Sequence, residues 1–181
     1  MKDFIFDTII FGPKKMDFPT YKFLCQAATF IGVETTFCGD EFPFIVQNRT
    51  MAGQFSAHVM TSIISGFIIS FPYILYEFWK FISPGLLEKE KAKSRGFIFV
   101  SSMLFFIGVL FGYYIISPLS INFLGTYQVS SQVLNEIDLG SFISLVRSSA
   151  IASGIIFELP IIIYFLTKAG VVTPESLVKY R

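Results

Sequence analysis

The sequence predicts an all-α membrane protein with three transmembrane helices. Three observations carry that expectation. Of 181 residues, 53% are hydrophobic and 15% are charged, against about 45–50% and about 25% in soluble domains. Three stretches are apolar over the ~20 residues that a helix needs to cross a hydrocarbon core. Phe alone supplies 23 residues, and aromatic rings are tolerated in lipid and at its interfaces. Three such helices in so short a chain leave too little polar surface to enclose them as a soluble core.

Two regions are expected. Residues 1–50 mix aromatics with Lys14, Lys15, Asp17, Glu34, Asp40 and Glu41, and hold Pro13, Pro19 and Pro43. Nothing there is long enough to span, so the segment reads as extramembrane, with short helical pieces. Residues 51–181 read as the transmembrane domain. Its first span is expected over 57–79, with Glu77 its only acid, at the very end. The second, 97–119, has no charge, and the third, 148–167, carries Glu158 at its middle. Pro72 and Pro160 lie inside the first and third spans. Proline removes a backbone donor, and in a membrane the freed carbonyls need protein neighbours. Gly108 and Gly112 have the G-x-x-x-G spacing of a close helix contact, although glycine is also simply frequent in membrane helices. Trp79, Tyr113 and Tyr114 read as interfacial anchors, and Arg147 as a side chain snorkelling at the outer end of the third span.

Charge sets the orientation. The loop 80–96 holds Lys80, Lys89, Lys91, Lys93 and Arg95, whereas the loop 120–146 has no Lys or Arg and carries Glu136 and Asp138. Short cytoplasmic loops are enriched in basic residues. The first loop is therefore expected in the cytoplasm, the second outside, and the tail with Lys168, Lys179 and Arg181 in the cytoplasm again. An odd number of spans then puts residues 1–50 outside, in the periplasm. A polar N-terminus is awkward to translocate without a preceding span, so an upstream span is expected as well. In an oxidising compartment Cys25 and Cys38 form either a disulfide, which would stabilise the segment by ~3 kcal/mol, or two unpaired buried thiols. Spacing alone does not decide between them.

Enzymatic chemistry finds no foothold. No H-E-x-x-H, G-x-S-x-G or phosphate-cradling glycine loop occurs, and the lone His58 has no companion for metal binding. No catalytic residue, metal or cofactor is expected, and a net charge of +1 gives no reason to expect a nucleic-acid partner. Glu158 stands out, because a charge at the bilayer centre costs at least ~2.5–3.5 kcal/mol and such groups face protein or water. It is either a carboxyl packed between helices or a functional polar patch. An ion-coupled transporter using Glu158 is the alternative function, although the internal repeats of such folds are not seen.

A run of residues around the first loop identifies a family. Pro72-Tyr-Ile-Leu-Tyr76-Glu77-Phe-Trp79-Lys-Phe81-Ile-Ser-Pro84-Gly85-Leu86, followed by Glu88-Lys89-Glu90-Lys91, resembles the TatC pattern P-x-x-x-Y-Q-x-W-x-F-x-x-P-[GA]-L with its mixed-charge cluster. Glu77 stands where the pattern has Gln. Gly154-Ile-Ile-Phe157-Glu158-Leu159-Pro160 is similar to the family's G-x-x-F-E-[LV]-P, and Thr173-Pro174-Glu175 with Lys179-Tyr180-Arg181 to its [TS]-P-E-x-L-[RK]-K-x-R loop. The resemblance covers 42–181 and implies helices two to four of a six-helix fold. The family's H-L-x-E-L-R and T-P-P-D segments are absent.

That resemblance implies a non-enzymatic component of the twin-arginine export translocase in the bacterial inner membrane, which recognises twin-arginine signal peptides of folded proteins and nucleates the translocon. Glu90, with Glu88 beside it, is implied as the signal-peptide contact. A carboxylate can meet a planar guanidinium with two parallel hydrogen bonds, which lysine cannot reproduce. Glu158 and Pro160 are implied as an intramembrane site for partners, and Pro72, Tyr76, Glu77, Trp79, Pro84 and Gly85 as structural motif. The implied partners are the signal peptides, single-span TatA- and TatB-type subunits, the lipid bilayer and further copies of the chain.

Overall fold

The computed structural model describes residues 4–31, 38, 42, 44–82, 94–128, 130 and 135–168. Three helices are long and apolar enough to cross a membrane. The first runs Gly53–Ile82. The second runs Ser94–Phe111, widens into a π-turn over Gly112–Ile116 and continues as Ser117–Thr126. The third runs Leu139–Lys168. Ahead of them, Phe4–Ile10 and Gly12–Lys14 form single wide and tight helical turns, and Pro19–Ile31 forms an α-helix. These N-terminal pieces make a cap on one end of the three-helix bundle.

All three spans are longer than hydropathy predicts, mostly toward the cap. The third starts at Leu139 rather than 148 because Asp138 caps it. Its Oδ2 accepts the Gly140 N–H at 2.9 Å and the Ser141 N–H at 3.3 Å, satisfying two donors that a helix start leaves free. Arg147 therefore lies about two turns after the start of the third helix. The second span passes the expected stop at 119 because the π-turn absorbs Pro118. The Ser117 N–H bonds Gly112 O, and Pro118 follows at the start of the next helical segment. Proline has no N–H for the carbonyl four residues back. That carbonyl, on Tyr114, accepts a hydrogen bond from the Thr20 hydroxyl of the cap.

The second and third spans approach backbone to backbone. A Cβ on Gly108 would lie 2.9 Å from both Gly154 Cα and Ser153 O, and one on Gly112 would lie 2.8 Å from Ala150 Cα. The G-x-x-x-G spacing marks a true close contact here, met by a facing row of small residues. The first span is joined less tightly, through a Phe71–Phe105 ring stack with centroids 3.5 Å apart, and most of its surface is exposed.

The main core sits at the cap end. Ile10 and Phe44 from the N-terminal segment pack with Ala57, Ile121, Phe142, Ile143 and Val146 from the three spans. Two short strands, absent from the sequence expectation, lie beside it. Ile45–Gln47 pairs in parallel with Glu136–Asp138, with Val46 opposite Ile137. Their side-chain clasp is Arg49 Nη2 to Glu136 Oε2 at 3.0 Å, an exposed pair that contributes little by itself. Asn135 Nδ2 donates to Gly125 O at 2.8 Å, and Phe44 lies over Gly125, where a Cβ would come 2.5 Å from its ring.

Tyr113 and Tyr114 hold this cap and do not serve only as lipid-interface anchors. Tyr113 donates to Ile9 O at 2.6 Å. Phe18 stacks on Tyr114 at 5.4 Å and meets Tyr113 edge-on at 5.6 Å. Tyr21 is fully buried, and its hydroxyl lies 2.9 Å from Pro13 O and 2.8 Å from Pro118 O. Burial pushes its phenol well above the ordinary tyrosine range. Cys25 and Cys38 are joined as a disulfide with Cα atoms 5.2 Å apart.

Three outcomes test this packing. Gly112→Ala places a methyl against backbone that cannot yield, and overpacking of this kind costs about 1–3 kcal/mol. An unchanged thermal unfolding midpoint in detergent would refute the contact. Tyr21→Phe keeps the ring but removes the single buried hydroxyl donor that Pro13 O and Pro118 O share, with an expected loss of about 1–3 kcal/mol. Maleimide labelling of Cys25 and Cys38 is expected only after reduction, and full labelling beforehand would rule the bridge out.

Candidate functional site

The described residues place one acid deep between spans. Glu158 is only 4% exposed, and Ser101, which faces it, is not exposed at all. Ser101 Oγ donates to Glu158 Oε2 at 3.2 Å. Oε1 has no hydrogen-bond partner among the described residues.

The small-residue contact creates this geometry. Gly154 lies one helical turn before Glu158 on the same face, since residues four apart are neighbours on a helix. A Cβ there would come 2.8 Å from the Phe105 ring and 2.9 Å from Val109. Its absence lets Phe105 lie flat against the third span, under the stack with Phe71. Ser101 is one turn before Phe105 and so meets the carboxyl on the far side of that ring. Phe157 also reaches the second span, 5.6 Å from Phe111 between ring centroids. The result is a carboxyl beside aromatic rings, with the Ser101 hydroxyl on one oxygen and no hydrogen-bond partner found for the other among the described residues. In a low-dielectric setting an unpaired polar atom is costly. The free oxygen is therefore a strong acceptor for any donor that reaches it.

Ser101 is a residue the sequence reading missed. Its signal was faint: two adjacent serines, Ser101 and Ser102, in an otherwise apolar and uncharged span. Ser102 instead bonds back to Ile98 O at 2.8 Å, a local helix contact. Pro160 lies within the third helix and is exposed, half a turn past Glu158. Pro72 lies within the first. Two further buried polar atoms lack partners among the described residues, Thr61 Oγ1 and Asn122 Nδ2.

The end of the first span away from the cap carries the other expected residues. Tyr76 is 50% exposed. Glu77 is exposed, with Lys80 Nζ at 4.0 Å from its Oε2, a loose surface pair. Trp79 is half-buried. Glu88, Glu90, Pro84 and Gly85 lie outside the described residues, so this end is seen only up to Ile82 and again from Ser94. Among the described residues no hydrogen bond or ion pair links Glu158 to Glu77. Lone His58 stacks on Phe6 of the cap at 5.5 Å. Among the described residues no three His, Cys, Asp or Glu side chains gather as a metal site would require.

Comparison with known proteins places this arrangement. The family described as Sec-independent protein translocase protein (TatC) matches residues 2–181. A TatC of Blattabacterium sp. subsp. Periplaneta americana is 46% identical over 99% of this chain and 68% of its own length. A TatC of Aquifex aeolicus is 42% identical over 68% of this chain and 52% of its own. The TatCy of Bacillus subtilis is 37% identical over 65% and 46%. The chain thus spans about two thirds of the first relative and about half of the other two. Two solved structures described as the twin arginine translocase receptor TatC superpose with TM-scores of 0.64 and 0.65, at 31% and 33% identity. They cover 99% and 97% of this chain, and 77% and 75% of their own.

The Ser101–Glu158 pair makes a checkable claim. In a double-mutant cycle with Ser101→Ala and Glu158→Gln, a coupling of about 0.5–1.5 kcal/mol in unfolding free energy is expected. Strictly additive losses would show that the two side chains do not act together.

Proposed function

The chain belongs to the Sec-independent protein translocase TatC family, and from that premise we propose that it reads twin-arginine signal peptides at the membrane face opposite its cap and seeds assembly of the translocon. The observation that carries the reading is the run from Pro72 to Leu86 followed by Glu88 and Glu90. It begins on the first span, whose last turn exposes Glu77 and Lys80, and continues into the connection to the second span. Two neighbouring carboxylates at the mouth of a membrane site suit two neighbouring guanidiniums, each able to take a bidentate hydrogen bond.

In this reading the cap faces the periplasm, and the connection 83–93 with the tail faces the cytoplasm of a bacterial inner-membrane protein. The basic residues of 80–96 and their absence from 120–146 support it. The family is one of translocase components rather than enzymes. Glu158 and Pro160 serve single-span TatA- and TatB-type partners, whose polar groups within the bilayer would find the free Oε1 of Glu158 a rare acceptor. An ion-coupled transporter built on Glu158 is not favoured, since family membership points to protein export.

Photocrosslinking from Leu87 tests the receptor reading. A crosslink to a signal peptide with Arg-Arg that is lost with Lys-Lys is expected, and equal yields for the two peptides would remove this loop from recognition. Glu90→Ala is expected to weaken the Arg-Arg peptide about ten-fold or more, since a hydrogen bond to a charged group contributes about 1.5–3 kcal/mol.

A further inference from the structure

Where the cap meets the starts of the first and third spans, the structure holds a cavity of about 510 Å³. None of the residues used by the proposed function line it. Its apolar walls are Phe6 and Phe11 of the cap, Val46 of the short strand and Leu139 of the third span. Ala57 and Ile143 of the main core line it as well. Polar side chains interrupt these walls: Asp7 and Lys14 of the cap, Asn48, and Gln54 and His58 of the first span. A few convergent polar groups on apolar walls, in a volume of about 300–1,000 Å³, make the usual composition of a small-molecule site.

The polar groups differ in what they leave unpaired. Lys22 is paired with Asp17 at 2.9 Å, and Lys15 Nζ donates to Asp7 O at 3.3 Å. Lys14 is half-buried and has neither an ion pair nor a side-chain hydrogen bond among the described residues. Taking an ammonium from water without a partner is costly, so a counterion from outside stabilises it. His58 stacks on Phe6 with ring centroids 5.5 Å apart and planes 12° apart, which fixes the plane in which its nitrogens bond. Even a neutral imidazole has one N–H to donate, and each side-chain amide has two. The side chains of Asn48 and Gln54 are likewise without hydrogen bonds among the described residues. Asp7 is the acid among the described lining residues, and it is exposed. Water and salt screen an exposed charge more than a half-buried one. The attraction of Lys14 therefore outweighs the repulsion of Asp7 for a single negative charge, whereas a dianion would feel that repulsion twice over.

We propose that this cavity binds a monocarboxylate carried on an apolar body. Lys14 supplies the charge, and His58, Asn48 and Gln54 supply further donors. Phe6, Phe11 and Leu139 receive the apolar part. A small organic acid and the free end of a peptide chain share this chemistry.

The lone histidine of the sequence makes the cavity its own reporter. Isotope-labelled His58 gives one NMR signal in the full chain, purified in detergent without a histidine tag. Phenylpropionate stands for the small acid, and acetyl-alanyl-phenylalanine with its free carboxylate for the peptide end. A saturable shift of the His58 signal is expected, and the tighter of the two ligands names the source. Phenylpropionamide is expected to bind about ten-fold or more weakly than phenylpropionate, because hydrogen bonds to charged groups are among the strongest. Lys14→Met should weaken the acid to the same extent, Lys14→Arg should keep it, and Asp7→Asn should tighten it. Lys22→Met, beside the neighbouring cavity, should change nothing. No saturable shift with either acid, equal shifts from acid and amide, or undiminished binding by Lys14→Met would each overturn the proposal. A stronger response to phenylpropylamine would also overturn it, by making Asp7 the binding group. Should Lys14→Met fail to fold, the comparison of acid with amide on the unaltered chain still decides.

Discussion

The contact on which this structure depends is the approach of Gly108 and Gly112 to Ser149, Ala150, Ser153 and Gly154. Without a hydrophobic drive between helices in lipid, association rests on close packing and hydrogen bonds. Small residues supply the first by bringing two backbones together. They permit the second by carrying Glu158 within reach of Ser101. The same approach sets the level of the π-turn at Gly112–Ile116, because Gly112 is at once the closest point of contact and the acceptor of the widened turn. The buried carboxyl, the irregular helix and the cap all follow from one row of missing side chains.

The irregular turn is also where the cap is attached. A proline in a spanning helix frees a carbonyl that lipid cannot satisfy. Here the carbonyl of Tyr114 accepts from the Thr20 hydroxyl, while the Tyr21 hydroxyl also reaches Pro118 O. The cap thus completes the hydrogen bonding of the second span, and the second span gives the cap its anchorage. The strand pair Ile45–Gln47 with Glu136–Asp138 ties the far edge of the cap to the start of the third span. Asp138 caps that span while it also lies 3.4 Å from the Arg49 N–H. One end of the bundle is therefore closed by hydrogen bonds that join the N-terminal segment to the second span and to the start of the third.

The disulfide Cys25–Cys38 and the strand pair bind the cap to itself and to the start of the third span. Between the two ends, Glu158 keeps one oxygen without a hydrogen-bond partner among the described residues.

Much of this was legible in the residues alone. The three spans, the polar N-terminal segment, the asymmetry of Lys and Arg between the two loops and the TatC-like run at Pro72–Leu86 are local properties, legible along the chain residue by residue. The small-residue spacing of Gly108 and Gly112 was visible too, though its partner row was not. What only the tertiary structure decided were the pairings. Tyr21 meets Pro118 across 97 residues, Ser101 meets Glu158 across 57, and Arg49 meets Glu136 across 87. Span ends moved for the same reason. Hydropathy stops at a proline or begins after a polar loop, whereas a helix continues wherever a distant donor such as Thr20 or a capping carboxylate such as Asp138 satisfies its backbone. Burial preference is written along the chain residue by residue, but a hydrogen-bond partner exists only once the chain has folded to bring it there.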